Sequence, residues 1–208
     1  MQADDRNGIE KAVSEILHPG SRQLFRHWEA LREERPCPTR GEIQLPRLIP
    51  LLPNLSILEK PEGRPWQYRL AGTRVCDLLQ QPMTGKDALA GFDNFEREVV
   101  SKTFEVAQSR LQPCLVRMRL ISTVNRIEAA ELLGLPVVDE NSGQVMLFGG
   151  LFGFGDSHGD RSILIRRELV SSRLIWTEHE NGDKLMAQVG HVAPPRLRLI
   201  QGGLSTTS

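Results

Sequence analysis

The sequence predicts an α+β domain in which helices cover one face of an antiparallel sheet of five strands. Three observations lead to this prediction. Two segments with strand character, 55–59 and 66–72, are joined by a turn, and helical segments follow them, the longest over 92–111. Three further segments then repeat their apolar residues with the period of two that is typical of strands. Strands and helices that are segregated along the chain in this way favour an α+β fold.

The composition of the 208-residue chain is typical of a soluble globular protein, with 39% hydrophobic and 25% charged residues. Its 26 basic side chains balance 26 acidic ones, so no net charge attracts nucleic acid or a membrane. The three cysteines, Cys37, Cys76 and Cys114, are dispersed, which favours reduced thiols. The first residues, MQADDRNGIEK, are polar and unlike a secretory signal. We therefore expect a cytoplasmic protein that binds neither membrane nor nucleic acid.

Two helices are predicted before the first strand. Residues 1–20 are interpreted as an N-terminal amphipathic helix, because Ile9, Val13, Ile16 and Leu17 form one apolar stripe. Ser21 is the expected N-cap of the second helix, RQLFRHWEALREER. The stripe has no partner in the predicted domain, which favours a homodimer through the N-terminal helices. The alternative is that the stripe packs across the back of its own sheet.

The first two strands form a predicted hairpin, LSILE and WQYRLAG, with KPEGRP as its turn. TRVCDLLQQ then reads as a short helix with Thr73 as its cap. The long helix 92–111 carries two neighbouring apolar stripes, and so wide an apolar face predicts burial against the sheet. One stripe consists of Phe95, Val99 and Val106, and the other of Val100, Phe104 and Ala107.

Three strands follow the long helix. In PCLVRMRLIST, Val116, Met118 and Leu120 alternate with Arg117 and Arg119, as in a strand with one buried face. The segments RIEAAELLGLPVV and GQVMLFGGLFGFG complete an antiparallel meander around the turn DENSG. Residues 161–182 fit either a helix or a pair of strands. We treat 157–208 as a C-terminal extension that is partly flexible.

Three segments carry a resemblance to a known family: FRHWEALREERPCPTRGEIQLPRLIPLLPNLSILE, YRLAGTRV and MTGKDAL. Together with the order of elements, they resemble one bacterial subfamily of short PAS proteins. The resemblance covers roughly 21–156, which we take as the PAS domain, and leaves 157–208 without a family counterpart. The matching motif positions are Trp28, Pro38, Arg40, Arg69, Gly72, Thr73, Thr84 and Gly85.

The resemblance implies a non-catalytic sensory and signalling module that dimerises and acts on a signalling protein partner. Some PAS domains hold haem, flavin or a small metabolite between the sheet and the long helix. Members of this subfamily generally lack an assigned cofactor, so no cofactor and no metal are expected here.

A ligand pocket is expected between the inner face of the sheet and the long helix, as a mostly apolar site with few polar groups. Arg74 is the polar candidate, because it follows Gly72 and Thr73 close to the sheet. A register error of one residue would exchange the inner face for the outer one. The apolar candidates are Tyr68, Met118, Leu120 and Phe148 on the sheet and Phe95, Val99 and Val106 on the helix.

Two alternative ligand classes stay open. Guanidinium groups suit phosphate, so Arg69, Arg74, Arg117 and Arg119 allow an anionic nucleotide second messenger. The other interpretation of Arg117 and Arg119 is a solvated strand face.

The second alternative is a light or redox sensor with flavin or haem. Cys76 in GTRVCDLLQQ is similar to the reactive cysteine segment of flavin photoreceptors, but it precedes Thr84-Gly85, whereas the photoreceptor cysteine follows a glycine of that kind. Cys76 is therefore expected to pack as a small apolar residue.

Other candidate motifs are weaker. None of the five histidines, His18, His27, His158, His179 and His191, lies within 92–111, where a haem ligand is expected, and no two have the spacing of helical metal ligands. GGLFGFGD ends a strand and opens no helix, so it does not fit a phosphate loop. The cluster of Glu178, His179, Glu180 and Asp183 is interpreted as a hydrated loop.

Overall fold

A computed structural model describes residues 3–123, 126–155 and 163–176, with the side chains of 3–7 excepted. Six antiparallel strands form one sheet in the order β2-β1-β5-β4-β3-β6. The strands are β1 Leu55–Glu59, β2 Gln67–Ala71, β3 Cys114–Ser122, β4 Ile127–Val138, β5 Val145–Gly153 and β6 Leu164–Leu174. The helices are α1 Ala3–Glu15, α2 Pro19–Arg32, α3 Thr73–Leu78 and α4 Asn94–Arg110, with two 3₁₀-helical segments, Arg40–Glu42 and Leu45–Asn54. The predicted α+β class is confirmed.

The sixth strand corrects the prediction of a five-stranded sheet. β6 falls in the segment for which a helix or a pair of strands was left open, and it pairs with β3 from Cys114 to Ser122. Its register shifts twice, so that Val170 and Ile165 are extra residues opposite β3. Such bulges interrupt the two-residue period of a strand. The alternation therefore could not identify this strand from the sequence.

The sheet is buried on both faces. Its front face, which includes Tyr68, Val116 and Met118, packs against α3 and α4. Its back face, which includes Leu133, Leu135 and Phe148, packs against α1, α2 and the segment Leu45–Asn54. The sequence predicted helices on one face of the sheet of the PAS domain, which is the face covered by α3 and α4. The N-terminal helices α1 and α2 form a second helical layer on the back face.

Helix α4 is fixed at its start by reciprocal capping. The Asp93 carboxylate accepts a hydrogen bond from the Glu96 backbone N–H at 2.8 Å, and the Glu96 carboxylate accepts one from the Asp93 N–H at 3.2 Å. Glu96 also accepts a bond from the Leu169 N–H at 2.8 Å. The same side chain therefore caps α4 and attaches the helix to β6.

The N-terminal helices meet at a junction on the back face. Helix α2 begins at Pro19, where proline fits the first turn, and His18 is the N-cap, whose Nδ1 accepts from the Gly20 N–H at 3.0 Å. The prediction of Ser21 as the cap is wrong, since Ser21 lies buried within the helix. Val13 and Ile16 are buried in the back-face core. Val13 and Ile16 of the apolar stripe thus cover the chain's own sheet, as in the alternative that the sequence allowed, whereas Leu17 is 49% exposed.

A buried carboxylate on β4 holds this junction to the sheet. Glu131 has 0% exposure, and its oxygens accept hydrogen bonds from the Leu17 N–H at 3.0 Å and the His18 N–H at 2.9 Å. Arg117 of β3 supplies the countercharge, with its Nε 3.1 Å from Glu131. Arg117 also donates to the carbonyl oxygen of Glu15. One ion pair therefore satisfies backbone groups at the end of α1, the Glu15 carbonyl, and at the start of α2, the N–H groups of Leu17 and His18.

We expect Glu131→Gln to lower the free energy of unfolding by about 2–3 kcal/mol, because it leaves the partly buried guanidinium of Arg117 and two N–H groups poorly paired. Glu168→Gln is the matched control, since Glu168 pairs with the other arginine of β3, Arg119, at the surface. It should cost less than about 1 kcal/mol. Urea denaturation of both variants measures the difference, and equal losses would contradict the role of Glu131.

Burial lowers the pKa of His18, and the nearby charge of Glu131 acts in the opposite direction. A lowered pKa in the folded state means that the unfolded chain binds protons first as the pH falls. The free energy of unfolding should therefore be constant above pH 6.5 and decrease from there down to the lowered pKa of the folded state.

Denaturation curves between about pH 7.5 and pH 5 measure this decrease. His18→Asn keeps a capping side chain that does not titrate, so it should reduce the decrease. Because burial also lowers the pKa of His27, part of the decrease should remain. If the free energy of unfolding of His18→Asn depended on pH as in the wild type, the decrease would come from other groups than His18.

Candidate ligand site in the front-face core

The long helix presents a different stripe to the sheet from the one assigned to the pocket. Val100, Phe104 and Ala107 are buried against the front face. Phe95 is 75% exposed, and with Val99 and Val106 it lines an outer groove of about 540 Å³ beside Arg173 and Leu174 of β6. The prediction of Phe95, Val99 and Val106 as the helix side of the inner pocket is therefore wrong. Both stripes are apolar, so the sequence pattern could not separate them.

Three of the four sheet residues predicted for the pocket lie on the front face of the sheet. Tyr68, Met118 and Leu120 all lie on the front face and are buried. Phe148 lies on the back face, so the prediction that it shares the inner face is wrong. β5 is a central strand that is apolar on both sides, and alternation in such a strand does not indicate which side is inner.

Phe148 instead lines a cleft of about 690 Å³ on the back face, together with Arg40, Gly72 and Thr73. These three are family-motif positions. Gly72 is required by close packing, since a Cβ there would lie 2.3 Å from the Pro53 carbonyl oxygen. Arg40 forms an ion pair with Asp139 at 3.3 Å. The motif therefore holds the segment before β1 against the sheet.

The remaining motif positions are also structural. The indole N–H of buried Trp28 donates to the Pro136 carbonyl at 2.8 Å, and the Pro38 carbonyl accepts from the Val138 N–H at 3.2 Å. Gly85 has a φ of +79°, which favours glycine, and its N–H donates to the Tyr68 carbonyl at 2.7 Å. Thr84 forms an isolated β-bridge with Tyr68 of β2. Arg69 pairs with Glu59 at 3.1 Å.

A buried arginine that sequence reasoning missed lies next to Tyr68. Arg167 of β6 is 3% exposed, and its Nη1 donates to the Ala88 carbonyl at 2.7 Å. Its guanidinium carbon lies 5.6 Å from the centre of the Phe92 ring. The sequence gives no signal for it, because Arg166 and Arg167 are adjacent and either could point inward.

The polar groups at this position are only partly satisfied by hydrogen bonds. Within the described residues, neither the Arg167 Nε nor the Tyr68 hydroxyl has a hydrogen bond of acceptable geometry. Burial lowers the pKa of the Arg167 guanidinium, and Tyr68 and Asp87 oppose this change. Burial also raises the pKa of the Tyr68 phenol, against the effect of the Arg167 charge. Arg167 and Tyr68 thus interact with each other in a low-dielectric environment, while the Arg167 Nε and the Tyr68 hydroxyl lack a well-formed hydrogen bond within the described residues.

The arginines that suggested a nucleotide do not converge. Arg117 pairs with Glu131 on the back face, and Arg119 pairs with Glu168 at 3.4 Å at the surface. Arg74 is half-buried and takes part in an interaction of its own. No shared anion site is formed by these side chains.

Cys76 is half-buried and packs against the front-face core. No group of three His, Cys, Asp or Glu side chains in the described part of the chain is arranged to hold a metal ion. The cluster at 178–183 and His158, His179 and His191 lie outside the described residues. Over the ranges given above, no helix is both long and apolar enough to span a membrane.

A model of the PAS domain family matches residues 16–152. The chain therefore belongs to the PAS domain family, whose members are in general sensory and signalling modules. The predicted resemblance to PAS proteins is confirmed at the level of the family. The match includes the α1–α2 junction and ends before β6. No curated protein matches the chain.

A comparison of two buried tryptophans tests whether the indole N–H of Trp66, a front-face residue, lacks an acceptor. Trp66 and Trp28 are both 0% exposed, but only the Trp28 N–H has an acceptor, whereas the Trp66 N–H has none within the described residues. Both Trp→Phe changes remove similar volume. We expect Trp28→Phe to cost about 1–3 kcal/mol more than Trp66→Phe, because it leaves the Pro136 carbonyl unpaired. Denaturation with urea measures both, and equal costs would indicate a partner for Trp66.

Proposed function

We propose that the chain is a non-catalytic, cytoplasmic PAS sensor that binds a small molecule in its front-face core. The observation that carries the proposal is the buried guanidinium of Arg167 beside the Tyr68 phenol, with the Arg167 Nε and the Tyr68 hydroxyl incompletely hydrogen-bonded within the described residues. Buried polar groups in proteins are nearly always hydrogen-bonded, and an unsatisfied one indicates a missing ligand or water. A ligand with an acceptor group would satisfy both donors.

The surroundings of this pair support a ligand with one polar end and an apolar body. Met118 and Leu120 lie on the same face as Tyr68 and are buried. Removing a guanidinium from water is costly unless it is paired, so an anionic or strongly accepting group is the best partner for Arg167. The ligand would thus be recognised by its acceptor at Arg167 and by its shape along β3.

A binding role fits this site better than catalysis. General acid–base or nucleophilic chemistry needs a titrating group with a pKa close to the working pH. Burial raises the pKa of the Cys114 thiol to about 12, so that cysteine of the same core is no nucleophile. All three cysteines are free thiols, which supports a reducing compartment.

We propose that the sensor acts as a homodimer through its N-terminal helices, with a further signalling protein as its partner. Of the apolar stripe on α1, Val13 and Ile16 are covered by the chain's own sheet, while Leu17 is 49% exposed. Leu17 lies at the junction held by Glu131, so a contact there would connect a second copy to the sheet.

Native mass spectrometry of the full chain, with an absorbance scan, tests these proposals together. We expect a dimer that carries a small molecule and has no visible absorbance band. Arg167→Met should lose the bound molecule, whereas Arg166→Met, at a neighbouring exposed position, should keep it. Leu17→Glu should yield a monomer that still binds.

Each result has a contrary outcome. A wild-type chain without added mass, or equal loss in both arginine variants, would contradict the ligand site. A flavin or haem band would replace the proposal with a light or redox sensor. A Leu17→Glu variant that remains dimeric would exclude this dimer surface.

A further inference from the structure

We propose that a second site on this chain binds a small polyanion, a molecule with at least two phosphate or carboxylate charges. The site is a cleft of about 750 Å³ between the β1–β2 turn and the first half of α4. We call it the basic cleft. Its polar lining consists of Lys60, Arg64, Arg97, Lys102, Glu98, Glu105, Asn94 and Ser101. Its lining includes neither Arg167 nor Tyr68.

The charge of the lining favours an anion. Four cations face two carboxylates in the lining, and Asp87 pairs with one of these cations, Arg97, which leaves a local surplus of one positive charge (4 − 3) in a chain whose formal net charge is +0. Charges of one sign in a cleft with low-dielectric walls concentrate counter-ions there. The surplus is therefore a property of this cleft and not of the whole surface.

The carboxylates of the lining do not neutralise every cation. Glu105 is shared by two lysines, with Lys60 at 2.6 Å and Lys102 at 3.6 Å. The hydrogen bond from Lys60 lowers the pKa of Glu105, so it remains ionised. Arg97 pairs with Asp87. Arg64 makes no ion pair among the described residues, and the Lys102 side chain is 73% exposed, so these two are available to a ligand.

One residue of the lining also has a buried donor without a partner. Trp66 lines its wall, is 0% exposed, and has no acceptor for its indole N–H within the described residues. Leaving such a donor unpaired is unfavourable. Asn94 of α4 adds an amide, whereas the Ser101 hydroxyl already donates to the Glu105 carboxylate at 3.3 Å. Neutral donors and surplus cations in one concave site are the combination that binds phosphate and carboxylate groups.

The size of the cleft indicates a small molecule as the occupant. Pockets for small ligands are typically about 300–1,000 Å³, and the basic cleft falls within this range. Pro65 and Leu89 add apolar walls.

Isothermal titration calorimetry of the full chain tests the basic cleft, with inorganic pyrophosphate for phosphate ligands and citrate for carboxylate ligands. Acetate at matched ionic strength is the control anion. We expect at least one polyanion to bind, and the double variant Arg64→Ala/Lys102→Ala to weaken it about tenfold, since it removes two ion pairs. Binding of pyrophosphate alone would indicate a phosphate compound, and binding of citrate alone a carboxylate.

The matched control is Lys11→Ala/Arg26→Ala, which removes two exposed cations from α1 and α2. It should change the affinity less than about twofold. Thermal melting of each variant verifies folding, and Trp66→Phe provides a charge-neutral variant that should also weaken binding.

The proposal would be overturned by wild-type protein that binds neither polyanion. It would equally be overturned if the control double variant lost as much affinity as Arg64→Ala/Lys102→Ala, because binding would then follow net charge.

Discussion

The buried carboxylate of Glu131 is the interaction on which the architecture depends. It lies on the back of β4, satisfies the N–H groups at the junction of α1 and α2, and is balanced by Arg117 of β3. A charge at such a site is tolerated only if it is paired and hydrogen-bonded. Because the N-terminal helices are fixed there, the back of the sheet is dry and the molecule has two cores.

This second core explains what the sequence could and could not predict. The hairpin, α4 and the three strands after it have clear periodicities and were predicted. A sheet covered on one side only would have shown polar residues on its outer face, and the alternation would have assigned Phe148 correctly. With apolar residues on both faces, the period locates a strand but not its inner side. The two stripes of α4 pose the same problem, which is why Phe95 was placed inward. In β6, the bulges at Val170 and Ile165 obscured the period itself.

The residues of the candidate sites also divide into those that the sequence pattern predicts and those that it does not. Tyr68, Met118 and Leu120 follow from alternation, and the structure places them together. Arg167 and the Trp66 N–H, which has no acceptor within the described residues, do not follow, because burial and hydrogen bonding are properties of the folded chain. The family-motif positions were visible in the sequence, but Gly72, Trp28 and Gly85 form turns and close contacts. The motif therefore reports how the domain is assembled, and the ligand chemistry is carried by other residues.

The family match ends at residue 152, whereas the sheet continues for one more strand. The folding unit is therefore larger than the homologous unit. A chain shortened at the family boundary would expose the whole hydrogen-bonding edge of β3, which is a template for aggregation. It would also lose Arg167 and the bond from the Leu169 N–H that attaches the sheet to α4. Work on the isolated homologous segment would thus examine a domain without its charged core residue, and its failure to bind a ligand would say nothing about the complete chain.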